Sequence, residues 1–211
     1  MKVAIIGAGN VGKALTTSFT RAGHEVTIAA AHPERAREAA RSLGATAARS
    51  SADAVSGAEI VVLAVPATAL DSVTSEIGED LAGKVVVDVS NRPTPDPTGP
   101  GTSIAEELQV RLPKSRVVKA FNTLFASRQA DPVVAGVSAD GFVAADDEAA
   151  KATVLDALDG LGFRPVDAGP LAAARTLEGM AWLNIHRNLS GGSWQDAYVL
   201  VGPDADIVSD N

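Results

Sequence analysis

The sequence predicts an α/β protein built on a doubly wound, mainly parallel sheet. Near the N-terminus, a short apolar run over 2–6 is followed by glycines in G-x-G-x-x-G spacing and then by a helical pattern. Strand and helix patterns go on alternating through most of the 211 residues. The predicted strands are almost continuously apolar, which is typical of parallel strands buried on both faces. Together these observations predict a Rossmann-type sheet with a short C-terminal helical extension.

A glycine-rich turn joins the first strand to the first helix and predicts a dinucleotide site. Gly7 makes the tight turn, Gly9 lacks a Cβ and lets a pyrophosphate approach the backbone, and Gly12 lets the helix pack closely on the strand. Free N–H groups and the positive end of the helix dipole would then bind the phosphates. The residues predicted to hold the pyrophosphate are Gly7, Gly9, Asn10, Val11 and Gly12. The alternative is a glycine-rich turn with a purely structural role.

Composition and charge exclude several classes of function. The chain has no cysteine, which excludes disulfides, thiolate metal sites and a cysteine nucleophile. A net charge of −8 argues against a nucleic-acid partner. No apolar run approaches a membrane span, and the first strand begins at the second residue, which leaves no room for a signal peptide. We therefore expect a cytoplasmic protein with no membrane partner.

Length and patterning indicate one domain. A chain of this size can bury one good α/β core, so 1–211 is predicted to form a single dinucleotide-binding domain. Within it, 170–211 is predicted to form a C-terminal helical extension that completes the substrate crevice.

Apolar patterning and Gly or Pro stops place the elements of the N-terminal half in order. The helix after the glycine turn has its apolar face at 14, 15, 18, 19 and 22 and stops at Gly23. Pro33 suits the first position of the second helix, and Gly44 suits its C-terminal cap. The other predicted elements are strands over 25–30, 45–48, 60–65 and 84–89, and helices over 33–43, from 51 onward and over 68–77.

The segment 91–101 interrupts this alternation. It holds four prolines and two glycines in eleven residues, which predicts a loop rather than a helix or strand. The loop follows the C-terminal end of a predicted strand, where ligands bind in open α/β sheets. It therefore either walls the substrate crevice or is an ordinary rigid connector. Ser103 and Glu106 then form a predicted capping box at the start of the next helix.

The C-terminal half continues with shorter elements. They are a strand over 116–121, short strands over 142–145 and 164–167, a helix over 150–161 between these two, and a last long helix that starts at 169–170. The first of these strands brings residues 122–125 to the ligand edge of the sheet. The last helix has too many large apolar side chains for one narrow stripe, so we expect some of them, with Trp194, to contact a ligand or a partner subunit. The alternative is that they complete the core.

The end of the second strand indicates which nucleotide binds. An NAD site usually has an acidic residue there for the ribose hydroxyls, about twenty residues after the glycines. Here the sequence over 29–35 is AAAHPER, and its acid, Glu34, falls inside the predicted helix. A 2′-phosphate would lie at that helix N-terminus, beside Ala31 and His32 and with Arg35 one turn in. This pattern favours NADP, unless Arg35 is only a solvated helix residue.

The sequence contains no familiar catalytic constellation. It has no nucleophile elbow or other triad signature, its three histidines are scattered, and no metal-ligand spacing such as H-E-x-x-H occurs. Hydride transfer needs none of these groups, because the cofactor carries the chemistry while the protein supplies alignment and a dry crevice. We therefore predict an oxidoreductase with no acid–base residue and no metal site.

Several motifs resemble those of one enzyme family. They are IIGAGNVG at 5–12, VDVSN at 87–91, KAFNT at 119–123 and DAGPL at 167–171, followed by a late cluster of Arg175, Leu177, Glu178, Trp182, Asn184 and Ile185. Through these motifs essentially the whole chain resembles the coenzyme F420-dependent NADP oxidoreductase family. The resemblance implies hydride exchange between a deazaflavin and NADP in a homodimer, with both rings stacked in a crevice at the strand ends.

On this interpretation each side of the crevice has its own residues. Ala64, Val65 and Pro66, with Asn91, would line the ribose and nicotinamide side. Asn122, Thr123 and Leu124, with Trp194 from the C-terminal segment, would face the small-molecule redox partner.

Two departures from the family pattern leave alternatives open. Members commonly have Ser-Arg where this chain has Ala30 and Ala31, and characterised members have His where it has Asn122. An asparagine can still hydrogen-bond a ring carbonyl, but the second substrate can differ from F420. One alternative is an NADPH-dependent reductase of a flavin or of a small imine or carbonyl compound. The other is a regulatory module that senses NADP without chemistry.

Overall fold

Short apolar runs form the strands of the computed structural model, which describes residues 1–92 and 101–202. The strands are β1 (Lys2–Ile6), β2 (Glu25–Ala29), β3 (Thr46–Ala47), β4 (Ile60–Leu63), β5 (Val85–Asp88), β6 (Arg116–Ala120), β7 (Val133–Val134), β8 (Val137–Ser138), β9 (Asp140–Ala145) and β10 (Arg164–Gly169). The helices are α1 (Asn10–Arg21), α2 (Pro33–Leu43), α3 (Ser51–Val55), α4 (Leu70–Ile77), α5 (Ile104–Arg111), α6 (Ala126–Ala130), α7 (Glu148–Gly160) and α8 (Ala174–Leu189).

The main sheet has eight strands in the order β3-β2-β1-β4-β5-β6-β9-β10, and β7 pairs separately with β8. Strands β1 to β6 run parallel, β9 is antiparallel to β6, and β10 is parallel to β9. The chain leaves β1 toward β2 on one side and returns to β4 on the other, which opens a crevice at the carboxyl ends of the strands. The predicted Rossmann-type, mainly parallel sheet is confirmed.

Alternating side chains of each strand feed two cores, one on each face of the sheet. In β1, Val3 and Ile5 pack in the cluster that includes α1, α2 and α7, whereas Ala4 and Ile6 pack in the cluster that includes α4 and α5. All four residues are 2% exposed or less. Side chains alternate with period two, so burial of both faces makes the whole strand apolar.

Most of the predicted elements are present, with ends shifted by one or two residues. The predicted capping box is confirmed: Ser103 Oγ accepts from the Glu106 N–H at 3.2 Å, and the Ser103 N–H donates to Glu106 Oε2 at 2.7 Å. The predicted loop over 91–101 lies mainly outside the described residues. Helix α6 and the β7–β8 pair are not predicted by the sequence pattern, because each is too short to show a period.

The C-terminal extension is helical for only part of its length. Helix α8 begins later than predicted, after a short 3₁₀ turn over Leu171–Ala173, and ends where Gly191 adopts a φ of +101°. The chain then runs back to β9, where the Tyr198 carbonyl accepts from the Asp140 N–H at 2.9 Å. Neither α8 nor any other helix in the described part of the chain is long and apolar enough to cross a membrane.

An ion pair ties α8 to α5. Arg175 donates two hydrogen bonds to Glu106, from Nε to Oε2 at 2.8 Å and from Nη2 to Oε1 at 2.5 Å. The Arg175 guanidinium, helped by the N–H and hydroxyl of Ser103, lowers the pKa of Glu106 from 4.5 to about 2. Because the pKa is lower in the folded protein, the carboxylate stabilises the fold above pH 4.5, and this contribution is lost as the pH falls toward 2.

We expect Glu106→Gln to lower the urea midpoint by an amount that shrinks as the pH falls, because the Glu106 carboxylate of the unfolded wild-type chain takes up a proton below about pH 4.5. Urea unfolding from about pH 6 to about pH 3 checks this. Glu79, which is exposed and pairs with Lys114 at 3.1 Å, provides the control: Glu79→Gln should have a small effect throughout. If Glu106→Gln lowers the urea midpoint by the same amount throughout this pH range, the lowered pKa of Glu106 does not stabilise the fold.

Candidate functional site

The carboxyl ends of β1, β2, β4, β5 and β6 meet at one edge of the sheet, because these strands are parallel and adjacent. Each strand end delivers one group of predicted site residues. The groups are 7–12 after β1, 31–35 after β2, 64–66 after β4, 91 after β5 and 122–124 after β6. Trp194 reaches the same region from the segment beyond α8.

In the glycine turn, the fold itself requires two of the three glycines. Gly7 has a φ of +121°, and a Cβ there would strike the Ala64 carbonyl. A Cβ at Gly12 would strike the Gly7 carbonyl, because α1 starts directly against the turn. Gly9 is exposed, and a Cβ there would meet no atom within 4 Å. Open space at Gly9 is what a pyrophosphate lying against the backbone needs.

The N-terminus of α1 has the properties of an anion site. Its N-cap is Gly9, which supplies no side chain, and the first turn contains no acidic residue. The Lys13 N–H donates to the Gly9 carbonyl at 2.9 Å, so the N–H groups of Asn10, Val11 and Gly12 precede the helical bonding pattern. These donors and the positive end of the helix dipole fit the phosphates of a dinucleotide.

The residues predicted to bind the adenosine end of the dinucleotide surround the N-terminus of α2. Ala31, His32 and Arg35 are exposed, with His32 at the N-cap and Arg35 in the first turn. Glu34 is a helix residue, as predicted, and its Oε1 lies 3.6 Å from His32 Nδ1. Arg35 forms no ion pair within residues 1–92 and 101–202, and its contact with a 2′-phosphate stays a prediction.

A crevice of about 180 Å³ opens where the end of β6 faces α8 and the start of α1. Apolar side chains, three amides and one hydroxyl line it, namely Val11, Asn91, Asn122, Thr123, Leu124, Phe125, Ala126, Ala181, Asn184 and Ile185. Among the described residues, this lining includes no acidic, basic, histidine or tyrosine side chain. The predicted substrate residues 122–124 therefore share one crevice with Val11 and Asn91 of the predicted cofactor side.

Some of this lining is not assigned to the site by sequence reasoning. Phe125 and Ala126 follow directly after the predicted substrate residues, and Ala181, Asn184 and Ile185 come from α8. The sequence did contain an indication that α8 belongs to the site, because Asn184 and Ile185 are part of the late cluster that carries the family resemblance. Only the fold shows that this part of the helix faces the crevice.

Asn91 and Asn122 form a reciprocal amide pair in the crevice wall. Asn91 Nδ2 donates to the Asn122 carbonyl at 3.0 Å, and Asn122 Nδ2 donates to Asn91 Oδ1 at 2.9 Å and to the Leu177 carbonyl at 3.0 Å. Both N–H donors of the Asn122 side chain are therefore in use in this structure, and a hydrogen bond from it to a ring carbonyl of the substrate stays a prediction. Its Oδ1 is buried and has no partner within the described chain.

The turn that carries Asn122 has a strained backbone. Phe121 has a φ of +62°, which is uncommon for a bulky residue. Its ring packs edge-to-face against Phe19 and Phe163, at centroid distances of 6.2 and 6.0 Å. Gln129 Nε2 donates to the carbonyls of Phe121 and Leu124 at 3.0 and 3.2 Å. Ring packing and these two hydrogen bonds hold the turn in place.

Trp194 lies beside the crevice rather than in its lining. Its ring centroid is 5.2 Å from that of Phe125 in an edge-to-face arrangement, and the residue is 43% exposed. The Trp194 N–H donates to Asn188 Oδ1 at 2.7 Å, and its carbonyl accepts from Ser127 Oγ at 2.9 Å. A ligand that extends past Phe125 would meet this ring, so substrate contact by Trp194 stays a prediction.

Comparisons with known proteins find relatives that share this fold. The profile of the family described as NADP oxidoreductase, coenzyme F420-dependent, matches residues 2–92. The crystal structure of a candidate F420-dependent NADP reductase from Arthrobacter sp. FB24 is 30% identical, with a TM-score of 0.85, and the match covers 96% of this chain and 100% of that one. The F420-dependent NADP reductase of Methanocaldococcus jannaschii is 28% identical over 209 residues, covering 90% of this chain and 93% of that protein.

Another relative is much longer than this chain. Metalloreductase STEAP3 of Rattus norvegicus is 34% identical over 182 residues, which are 84% of this chain and 36% of STEAP3. The chain therefore spans about a third of that relative's length.

The fold, the glycine turn and the relatives define the class of protein as an NADP-dependent oxidoreductase. Within this class, the chain belongs to the family of coenzyme F420-dependent NADP oxidoreductases, since its similarity to the Arthrobacter protein covers the whole of that structure. The family resemblance of the sequence motifs is confirmed.

We expect Gly9→Val to weaken NADPH binding in a protein that still folds. The new side chain would stand where the pyrophosphate must approach, and loss of two charge-assisted hydrogen bonds costs about 2–4 kcal/mol of binding free energy. Titration calorimetry with NADPH measures the change. Gly57→Val is the control, because a Cβ at Gly57 also meets nothing within 4 Å. Unchanged affinity in a folded Gly9→Val protein would show that the phosphates bind elsewhere.

Arg35→Ala should weaken the binding of NADPH and leave that of NADH almost unaffected. A charge-assisted hydrogen bond at this exposed position contributes about 1 kcal/mol, or roughly fivefold in Kd. Fluorescence titration with both nucleotides checks the difference, and Arg41→Ala, in the last turn of the same helix, is the control. Equal losses for the two nucleotides would contradict a contact between Arg35 and the 2′-phosphate.

Proposed function

We propose that the protein transfers a hydride between NADP(H) and a deazaflavin, coenzyme F420. Membership of the F420-dependent family supports this pair of substrates. The observation that carries the proposal is the crevice, whose described lining holds amides, one hydroxyl and apolar groups but no acidic, basic, histidine or tyrosine side chain. Hydride transfer between two rings requires alignment and exclusion of water rather than an acid–base residue.

Each side of the site would bind one substrate. The N-terminus of α1 would hold the pyrophosphate of NADP, and residues 64–66, next to Gly7, would border the ribose. When bound, the nicotinamide supplies or accepts the hydride at the crevice. Val11 and Asn91 would align it from the cofactor side, while residues 122–124 would form the wall for the second ring.

A flavin is the second candidate for the hydride partner. The metalloreductase STEAP3 is more similar in sequence to this chain, at 34%, than the M. jannaschii reductase is, at 28%. A metal ion accepts one electron at a time whereas a hydride carries two, so electron flow from NADPH to a metal needs an intermediate carrier such as a flavin. Asn122, where characterised family members have His, also favours a second ring other than F420.

The other two alternatives have less support. Hydride addition to an imine or carbonyl compound leaves a negative charge on one nitrogen or oxygen atom, which must be protonated at once, whereas a reduced deazaflavin spreads that charge over its ring. The described lining offers no acidic side chain to donate the proton. A regulatory module without chemistry is disfavoured because the family consists of oxidoreductases.

We also propose that the protein forms a homodimer and acts in the cytoplasm. Leu183 and Leu189 of α8 are 58% and 62% exposed, which supports a partner subunit along this helix. Sedimentation of the purified protein tests the oligomeric state, and a monomer at working concentration would contradict it.

Steady-state oxidation of NADPH tests the proposed reaction. We expect rapid turnover with F420 and much slower turnover with FMN, FAD or a cyclic imine at equal concentration. Turnover with a flavin but not with F420 would favour the second candidate. Turnover with the imine alone would contradict both.

Trp194→Ala should raise the KM for F420 while NADPH affinity stays the same. Loss of an aromatic face at the rim of the site costs about 0.5–1.5 kcal/mol, or roughly two- to twelvefold in KM. The melting temperature should change little because the residue is 43% exposed, and Val110→Ala, at another exposed apolar side chain, is the control. If melting collapses while F420 kinetics stay intact in the folded fraction, Trp194 completes the core and the substrate binds elsewhere.

A further inference from the structure

A buried lysine connects the elements that carry the Asn91–Asn122 pair. Lys119, in β6, is 0% exposed, and its Nζ donates to Asp88 Oδ2 at 2.8 Å, to the Ser90 carbonyl at 2.5 Å and to Glu178 Oε1 at 3.1 Å. These three bonds use all the N–H donors of the ammonium group. The Asp88 side chain is 0% exposed and that of Glu178 is 8% exposed, so one ammonium group is shared by two carboxylates inside the protein.

The residues that Lys119 contacts are adjacent in the chain to residues that form the hydrogen bonds of the amide pair. The carbonyl that Lys119 bonds at 2.5 Å directly precedes Asn91. Glu178 directly follows Leu177, whose carbonyl accepts from Asn122 Nδ2. Lys119 itself lies just upstream of Asn122 on the same chain segment. A shift of the ammonium group would therefore move each backbone segment that places the pair.

Lys119, Asp88 and Glu178 form a buried ion cluster, and its two carboxylates bond to neighbouring elements. Glu178 Oε1 also accepts from the Ile104 N–H at 2.8 Å, at the start of α5, and Glu178 Oε2 lies 3.9 Å from Arg92 Nε. Asp88 Oδ1 accepts from the N–H and the hydroxyl of Ser90 at 2.9 and 2.7 Å. One buried cluster thus links the ends of β5 and β6 to α5 and α8.

We propose that Lys119 is a positioning residue, which holds the Asn91–Asn122 pair in the crevice wall without touching either substrate. Lys119 is not part of the crevice lining. Displacement of reacting groups by about 1 Å can lower a rate about a hundredfold, so a fixed wall matters for aligning two rings. The effect on catalysis rests on the proposed function, whereas the coupling between the lysine and the amide pair does not.

The double variant Lys119→Met/Asp88→Asn separates positioning from charge neutralisation. It removes one buried positive and one buried negative charge together, while the amide oxygen introduced at position 88 would still accept from Ser90 and Glu178 keeps the Ile104 N–H. We expect the fold to persist and the side-chain amide protons of Asn122 to exchange with water about tenfold faster, as measured by ¹⁵N NMR without any substrate.

Lys151→Met is the matched control. Lys151 is 4% exposed and pairs with Glu148 at 3.0 Å and Asp167 at 3.5 Å, on α7 and away from the crevice lining. This variant should leave the exchange of the Asn122 amide unchanged. NADPH affinity should stay within about twofold in both variants, because neither touches the glycine turn.

Two results would overturn the proposal. One is a folded double variant in which the Asn122 amide exchanges at the wild-type rate, which would make the cluster a stability element only. The other is faster exchange with F420 turnover unchanged, where about a tenfold loss is expected at saturating NADPH. If the protein proves not to reduce F420, the exchange measurement decides alone.

If the double variant does not fold, the single variant Glu178→Gln tests whether the buried ion cluster positions the amide pair. Gln can still accept from Ile104 and from Lys119 through its Oε1, but it lacks the charge that holds the ammonium group. We expect a rise in Asn122 amide exchange of about threefold. An unchanged rate in this variant would overturn the proposal as well.

Discussion

Parallel strands that lie side by side end at the same edge of the sheet, and the site of this protein depends on that constraint. In β1, Ile6 is level with Ala29 of β2 and Leu63 of β4, so the turns after these strands are neighbours. This closeness leaves no room for a side chain at Gly7, where a Cβ would strike the Ala64 carbonyl after β4. Because both faces of the strands are buried, polar groups that can contact ligand come from the turns after them.

The motifs that identify the family are far apart in the sequence and adjacent in the structure. VDVSN at 87–91 provides Asp88 and Asn91, KAFNT at 119–123 provides Lys119 and Asn122, and the late cluster on α8 provides Glu178. Asp88, Lys119 and Glu178 form the buried ion cluster. Asn91 and Asn122 form the amide pair. One region of the fold therefore accounts for three motifs whose joint occurrence has no explanation in local sequence.

Local patterns were enough to predict the glycine turn and the capping box at Ser103, because each rests on contacts between residues close in the chain. The parallel part of the sheet was predicted from near-continuous apolar strands that alternate with helices. Local patterns could not show that β9 is antiparallel to β6, since apolar alternation carries no strand direction. Nor could they show the partners of Lys119, which lie 31 and 59 residues away. The same limit applies to Asn122, whose donors are taken by Asn91 and by the carbonyl before Glu178.

Direct transfer of a hydride to a deazaflavin is the central claim, and isotope transfer measures it most directly. A deazaflavin accepts the hydride on a ring carbon, where deuterium is retained, whereas a reduced flavin holds it on nitrogen and exchanges it with water. NADPH deuterated at C4, on one face or the other, would be reacted with F420 in a single turnover and the reduced deazaflavin analysed by mass spectrometry. We expect one deuterium from one labelled form and none from the other; no deuterium from either form would contradict the account.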